Sequence, residues 1–155
     1  MQAAIVAEGK GGKVSNGAPK RKRRAGIPTG NAGEYFVMGE LLRRGYDAQL
    51  ADRNTQNYDI LVGLPDEPMR RVQVKTVRAQ PWYVKVSDFS DRADQITIYV
   101  LIGTEDCRTP VRYFIVRNSD VAEHVHRPAG WQTNGFMKLA TVKPFENKWE
   151  LLFDR

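Results

Sequence analysis

The sequence predicts an α/β domain whose central mixed sheet of four to five strands is flanked by helices. Three observations lead to this fold class: an amphipathic helical pattern opens the folded part, several strand patterns follow, and helical patterns return towards the end. Because helices and strands are segregated rather than strictly alternating, a mixed sheet is expected. The chain of 155 residues is long enough to form one domain with its own core.

Residues 1–30 are predicted to be a disordered basic tail, and residues 31–155 a folded domain. The tail holds seven Lys or Arg residues and one Glu, whereas the rest of the chain holds equal numbers of basic and acidic residues, so the tail accounts for the net charge of +6. The tail also lacks aromatic residues and has little apolar surface to offset the entropy lost on ordering. Its basic run is a candidate for nucleic-acid phosphate contacts, although a solubilising tail would have the same composition. The run consists of Lys20, Arg21, Lys22, Arg23 and Arg24.

A helix is predicted over residues 31–44. Asn31 can cap its start, and Gly45 stands where a left-handed residue commonly ends a helix. Apolar or small residues recur at helical spacing and predict a buried stripe formed by Ala32, Tyr35, Phe36, Gly39 and Leu42.

Strand patterns fill most of the middle of the chain. Alternating or β-branched segments predict strands over residues 46–51, 57–63, 70–77, 82–87, 96–103 and 111–117. The turn-forming residues between 63 and 69 predict a hairpin joining the second and third strands. Residues 88–95 are predicted to be a loop, residues 118–127 a short helix, and residues 144–153 a last helix or edge element.

Cysteine and histidine are too few for several kinds of site. The single cysteine, Cys107, excludes an internal disulfide framework and favours a reducing, cytoplasmic compartment. With only His124 and His126 beside it, a zinc site of the usual ligands is not expected. No apolar run is long enough to cross a bilayer, so no membrane role is expected.

Charged residues stand inside two neighbouring predicted strands. Alternation along the strands places Asp59, Gln73 and Lys75 on one side of the hairpin, and Glu34 on the first helix can supply a second carboxylate there. One or two carboxylates are the usual protein ligands of Mg²⁺, and a nearby lysine can position water or stabilise a phosphate. Two simpler interpretations remain open: a cross-strand ion pair between Asp59 and Lys75, and a capping pair between Asn31 and Glu34.

The segments GEYFVMGELLRRGY, NYDILV and VQVKT together resemble the core of the PD-(D/E)xK nuclease superfamily, which includes restriction endonucleases and Holliday-junction resolvases. The resemblance implies a restriction-endonuclease-like fold and a metal-dependent DNA endonuclease. It implies that Mg²⁺ or Mn²⁺ is held by Glu34, Asp59, Gln73 and the backbone carbonyl of Val74, and that Lys75 acts on the attacking water.

The resemblance departs from the usual motif at Gln73, where most members carry an acid. A neutral amide still offers an oxygen ligand but adds no charge, so metal affinity is expected to depend on the two carboxylates. A non-catalytic nucleic-acid-binding module that retains the nuclease fold is the alternative.

Arg53 is a further candidate for phosphate contacts, and DNA is the expected partner. A homodimer is left open because a domain of this size often pairs to cut both strands.

Three aromatic residues have two possible roles, because each could stack on nucleic-acid bases or serve the core and its rim. These residues are Trp82, Tyr83 and Trp131.

Overall fold

The computed structural model describes residues 26–154 and has a mixed five-stranded sheet at its centre. The sheet order is β1-β2-β3-β5-β6, with β3 and β5 parallel and the other neighbours antiparallel. The predicted mixed sheet flanked by helices is confirmed. Its strands are β1 (Asp47–Leu50), β2 (Ile60–Gly63), β3 (Arg70–Val77), β5 (Ile96–Leu101) and β6 (Arg112–Arg117).

Helix α1 (Ile27–Arg43) packs on one face of the sheet through Val37 and Leu41, which are fully buried. It begins four residues before the predicted start, with Gly26 at the N-cap and a proline in the first turn. Asn31 therefore lies inside the helix, and its predicted capping role is wrong because residues 27–30 are already helical.

The predicted buried stripe on α1 is also largely wrong. Tyr35, Phe36 and Leu42 are exposed, whereas the sheet receives the adjacent stripe that contains Val37 and Leu41. The helix has apolar residues on more than one side, so the spacing alone does not identify the side that packs on the sheet.

A small second sheet covers part of the opposite face and pairs β4 (Trp82–Lys85) with β7 (Asn134–Met137) in antiparallel register. The sequence predicted β4 but gave no strand at β7. Trp82 is fully buried beneath this sheet, where its Nε1 donates a hydrogen bond of 3.1 Å to the Val100 carbonyl. Its role is therefore in the core, where a buried indole N–H needs such a partner.

Short helical segments lie on both faces of the central sheet, since the last of them contributes Trp149 and Leu152 to the cluster beneath α1. The predicted loop over residues 88–95 contains helix α2 (Asp88–Asp91), and the predicted helix over residues 118–127 is α3 (Asn118–Val121) followed by a 3₁₀ turn to His124. The C-terminal part consists of α4 (Leu139–Val142) and two 3₁₀ turns (Lys143–Phe145 and Trp149–Leu152). Within residues 26–154, no helix has the length and apolar character needed to cross a membrane.

The sheet separates two apolar clusters by the alternation of its strands. On β3, Val72 and Val74 face the cluster beneath α1, whereas Val77 packs in the cluster beneath the small sheet. Gln73 and Lys75 alternate with the first pair and therefore lie on the face of the small sheet. The candidate site lies at the start of β2, where groups from both faces of the sheet can reach the same edge of β3.

Candidate active site

The carboxylate of Asp59 lies at an edge of β3 that strand β2 leaves open. The β2–β3 register extends only to Ile60 opposite Val72, one residue after Asp59. The backbone N–H of Asp59 donates to the Val72 carbonyl at 2.9 Å, and its side-chain Oδ2 accepts a hydrogen bond of 2.7 Å from the Val74 N–H. The Asp59 carboxylate thus accepts the hydrogen bond from β3 that the backbone of a longer β2 would accept. The Val74 carbonyl points to the same edge, because the N–H and C=O groups of a strand residue face one neighbour.

Glu34 reaches this edge because α1 lies very close to β3. The preceding residue, Gly33, is buried, and a Cβ added there would overlap Oγ1 of Thr76 and lie 2.7 Å from its Cβ and Cγ2. Only glycine permits this approach of the helix to the strand. Since Asn31 is inside the helix, the capping pair considered for Glu34 is not formed.

The two carboxylates interact electrostatically, and each has a pKa above its ordinary value. Burial raises the pKa of Asp59 above its ordinary value, although the hydrogen bond from Val74 and the charge of Lys75 oppose the rise. Burial and the charge of Asp59 raise the pKa of Glu34, while Arg53 opposes this rise. Two half-buried acids at one edge repel each other, and a cation between them would relieve the repulsion.

Lys75 approaches the edge from the face of the small sheet. It forms no hydrogen bond or ion pair within residues 26–154, so the simple ion pair with Asp59 is absent there. Burial lowers the pKa of Lys75, while the charges of Asp88 and Asp59 partly offset the effect and Lys85 adds to it. Lys75 is therefore half-buried, its amine has no fixed partner in the described part of the chain, and its charge acts on Asp59.

The donor set fits a hard divalent cation such as Mg²⁺, which binds carboxylate and carbonyl oxygens and retains several waters. Glu34 and Asp59 supply two carboxylates, and the Val74 carbonyl is on the same edge. Gln73 is half-buried next to Val74, and its amide makes no hydrogen bond with a described residue. The described residues contain no group of three His, Cys, Asp or Glu suited to a metal ion, and Glu34 and Asp59 are the two carboxylates that interact at this edge.

The other predicted binding residues have different outcomes. Arg53 is exposed in the turn after β1 and lies close enough to Glu34 to affect its pKa. The basic run from Lys20 to Arg24 lies outside the described residues.

The sequence did not single out Asp88, which is buried, forms an ion pair with Arg92 and acts electrostatically on Lys75. Its position in a predicted loop gave no indication of this burial.

Two solved nuclease structures are similar to this chain. Hjc from Archaeoglobus fulgidus, described as a Holliday junction resolvase from an archaeal hyperthermophile, has 17% identity and a TM-score of 0.48, over 74% of this chain and 88% of Hjc. The bacterial homing endonuclease I-Ssp6803I has 12% identity and a TM-score of 0.48, over 79% of this chain and 87% of that protein. No protein-family model and no curated protein sequence matches the chain.

Proposed function

We propose that this protein is a metal-dependent DNA endonuclease that hydrolyses phosphodiester bonds. The observation that carries the proposal is the position of Asp59, whose carboxylate is fixed at the open edge of β3 by the Val74 N–H, beside Glu34 and Lys75. An ordinary structural role would neutralise these charges in ion pairs. Here two acids with raised pKa values converge instead with a lysine that has no ion-pair partner among the described residues, which is typical of functional sites.

Mg²⁺ or Mn²⁺ would be held by Glu34, Asp59, Gln73 and the Val74 carbonyl, and when bound would stabilise the charge that develops on the phosphate in the transition state. The hydrogen bond from Val74 orients the Asp59 carboxylate. The Gly33 contact with β3 fixes the distance of Glu34 from the same edge. Rigid support of this kind keeps the ligands in place when a substrate arrives.

Lys75 would orient the attacking water opposite the leaving oxygen. Its ammonium group has no hydrogen-bond partner among the described residues, so it can donate to water or to a non-bridging phosphate oxygen. Its neighbour Lys85 and the exposed Arg53 would add positive charge on either side of the site. These charges favour the approach of a polyanionic substrate.

Cleavage of linear, branched and single-stranded DNA in the presence of Mg²⁺ or Mn²⁺ tests this proposal. The sharpest variant is Asp59→Asn, because the amide oxygen still accepts from Val74 while the negative charge is lost. We expect metal-dependent cleavage to fall by at least about 100-fold. Lys75→Met should retain metal binding but lose cleavage, since it removes the group that acts on water and leaves the proposed ligands intact.

Asp47→Asn is the matched control, because Asp47 is an exposed carboxylate on edge strand β1. It should leave cleavage unchanged. Full cleavage by Asp59→Asn would refute the assignment. DNA binding without cleavage by the wild type, unaffected by EDTA and by Asp59→Asn, would identify the alternative, a binding module that retains the nuclease fold.

A further inference from the structure

A groove of about 390 Å³ opens beside Lys75, between strand β4 and the loop that precedes β7. Its volume is in the range of sites that bind small ligands or single nucleotides. The groove begins where the candidate active site ends, because Lys75 belongs to both. Its lining consists of Lys75, Tyr83, Val84, Lys85, Trp131, Gln132, Thr133 and Asn134.

Two aromatic rings line the groove and are exposed to solvent, Tyr83 from β4 and Trp131 from the loop before β7. Tyr83 is 65% exposed and Trp131 is 38% exposed. Their ring centroids are 6.4 Å apart and their planes differ by 21°, so the rings are nearly parallel. Large aromatic surfaces are normally buried or used for binding, and parallel exposed rings suit the face of another planar ring.

The loop that carries Trp131 is held in place by hydrogen bonds to its backbone and by ring packing. Arg127 donates from Nε to the Trp131 carbonyl at 2.8 Å and from Nη2 to the Gln132 carbonyl at 2.7 Å. The Trp131 N–H donates to the Pro128 carbonyl at 3.1 Å, and the indole packs edge-on against Phe136 at 6.2 Å. Because the ring is already ordered, little entropy would be lost when a ligand stacks on it.

Positive charge lies along the same groove. Tyr83 and Lys85 both point to the exposed face of β4, since strand residues two apart share a face. Lys75 and Lys85 both line the groove, and no carboxylate of the described residues lines it, although the charges of Asp88 and Asp59 act on Lys75 from outside the groove. Aromatic faces next to two ammonium groups match a planar base joined to a phosphate. The amide of Gln132 adds a group that can hydrogen-bond a base edge.

We propose that this groove binds an unpaired nucleotide of the DNA substrate, with its base on the Tyr83 and Trp131 rings and its phosphate near Lys85. Bases in a continuous duplex are stacked on one another and cannot reach these rings unless they are extruded. The preferred substrate class is therefore DNA with unpaired bases next to the cleaved bond, such as bulged, branched or single-stranded DNA. This inference rests on the proposed function, because it places the nucleotide beside Lys75.

Intrinsic tryptophan fluorescence tests the contact directly. Of the three tryptophans, Trp82 and Trp149 are buried, so a stacked base should quench the emission of Trp131 selectively. The titration uses metal-free Asp59→Asn protein with EDTA, so that neither cleavage nor metal binding contributes. The probes are a short DNA duplex with a central bulge of unpaired thymidines and the same duplex fully paired. Quenching is expected with the bulged DNA and not with the paired DNA.

Affinities from the anisotropy of labelled probes give the magnitude. Trp131→Ala and Tyr83→Ala should each weaken binding of the bulged duplex about tenfold, or about 1.4 kcal/mol, and leave the paired duplex unchanged. Trp131→Phe should retain most of the affinity because it keeps an aromatic face. Phe36→Ala is the matched control: Phe36 is an exposed aromatic that lies about 200° around α1 from Glu34, and its loss should have no effect.

Equal affinity for the two duplexes, or an unquenched Trp131 in the saturated complex, would overturn the proposal. The result is independent of catalysis, because the assay is done on a variant without cleavage activity. Equal affinity for the bulged and the paired duplex, together with cleavage by the wild type, would refute only the stacking site. Selective stacking without cleavage by the wild type would refute only the nuclease function.

Discussion

Replacing Gly33 by alanine tests how the position of Glu34 is built. An added Cβ would overlap Oγ1 of Thr76 and lie 2.7 Å from two of its carbon atoms, and these distances are too short for any packed pair. Helix α1 and strand β3 must then separate. Glu34 follows Gly33 directly, so the separation would move its carboxylate away from Asp59. We therefore expect Gly33→Ala to lower both stability and metal-dependent activity.

Gly39 provides the reference for the magnitude. Both glycines lie inside α1, but a Cβ at Gly39 meets nothing within 4 Å. Alanine in place of a helical glycine is favourable by about 0.5 to 1 kcal/mol, so Gly39→Ala should stabilise the protein by that amount. Overpacking costs about 1 to 3 kcal/mol. The free energy of unfolding of Gly33→Ala should therefore be lower than that of Gly39→Ala by about 1 to 3 kcal/mol. The comparison cancels the helix preference and leaves the steric cost.

Urea unfolding of the two variants and the wild type measures these differences, and cleavage rates report on the site. Thr76→Ala should recover part of the loss in a Gly33→Ala background, because it removes two of the three crowded atoms. The hydroxyl that it removes is buried without a hydrogen-bond partner among the described residues, so its loss costs little. If Gly33→Ala is as stable as Gly39→Ala, the close approach of α1 to β3 does not constrain the helix and the reasoning fails.

Two further predictions concern the charges at the site. Asp59 and Glu34 have raised pKa values, so the folded protein retains protons at pH values where the unfolded chain has released them. The free energy of unfolding of the metal-free protein should therefore fall as pH rises from about 4 through the raised pKa values. Asp59→Asn should then be about 1 kcal/mol more stable than the wild type at pH 7 and no more stable below pH 3.8, as measured by urea unfolding across pH. A less stable variant at pH 7 would contradict this. Gln73→Glu adds a third carboxylate and should tighten Mg²⁺ binding about tenfold in calorimetry, whereas unchanged affinity would remove Gln73 from the metal site.

The strands near the site could be predicted because their patterns are local. β3 spans the predicted residues 70–77, and its hairpin with β2 follows from the alternation around Asp59 and from the turn residues between the two strands. The structure brings Asp59 together with Glu34 and Lys75. The roles of Glu34, Asp59, Gln73, Val74 and Lys75 in metal binding and catalysis, and the Mg²⁺ or Mn²⁺ ion itself, stay predictions.

The errors arise where several local patterns are equally good. On α1, apolar residues occur on more than one side, and only packing against the sheet selects Val37 and Leu41 over Tyr35 and Phe36. Pro28 was the available indication of an earlier helix start, since proline is favoured in the first turn.

Strand β7 could not be found from local pattern. Its pairing with β4 joins segments about fifty residues apart, and it contains Gly135, a residue that weakens strand propensity. The glycine is needed there, because a Cβ would come within 2.8 Å of the His126 carbonyl. The groove beside Lys75 depends on this pairing and therefore could not be predicted from the sequence either.

The central claim is that Asp59 and Glu34 hold a divalent cation, and calorimetric titration with Mg²⁺ and Mn²⁺ at neutral pH tests it most directly. The titration compares the wild type, Asp59→Asn and the control Asp47→Asn, each with and without a short DNA fragment, because a phosphate can complete the ligands. We predict binding by the wild type and the control and none by Asp59→Asn. Equal binding by all three proteins, or no binding by the wild type even with DNA present, would contradict the claim.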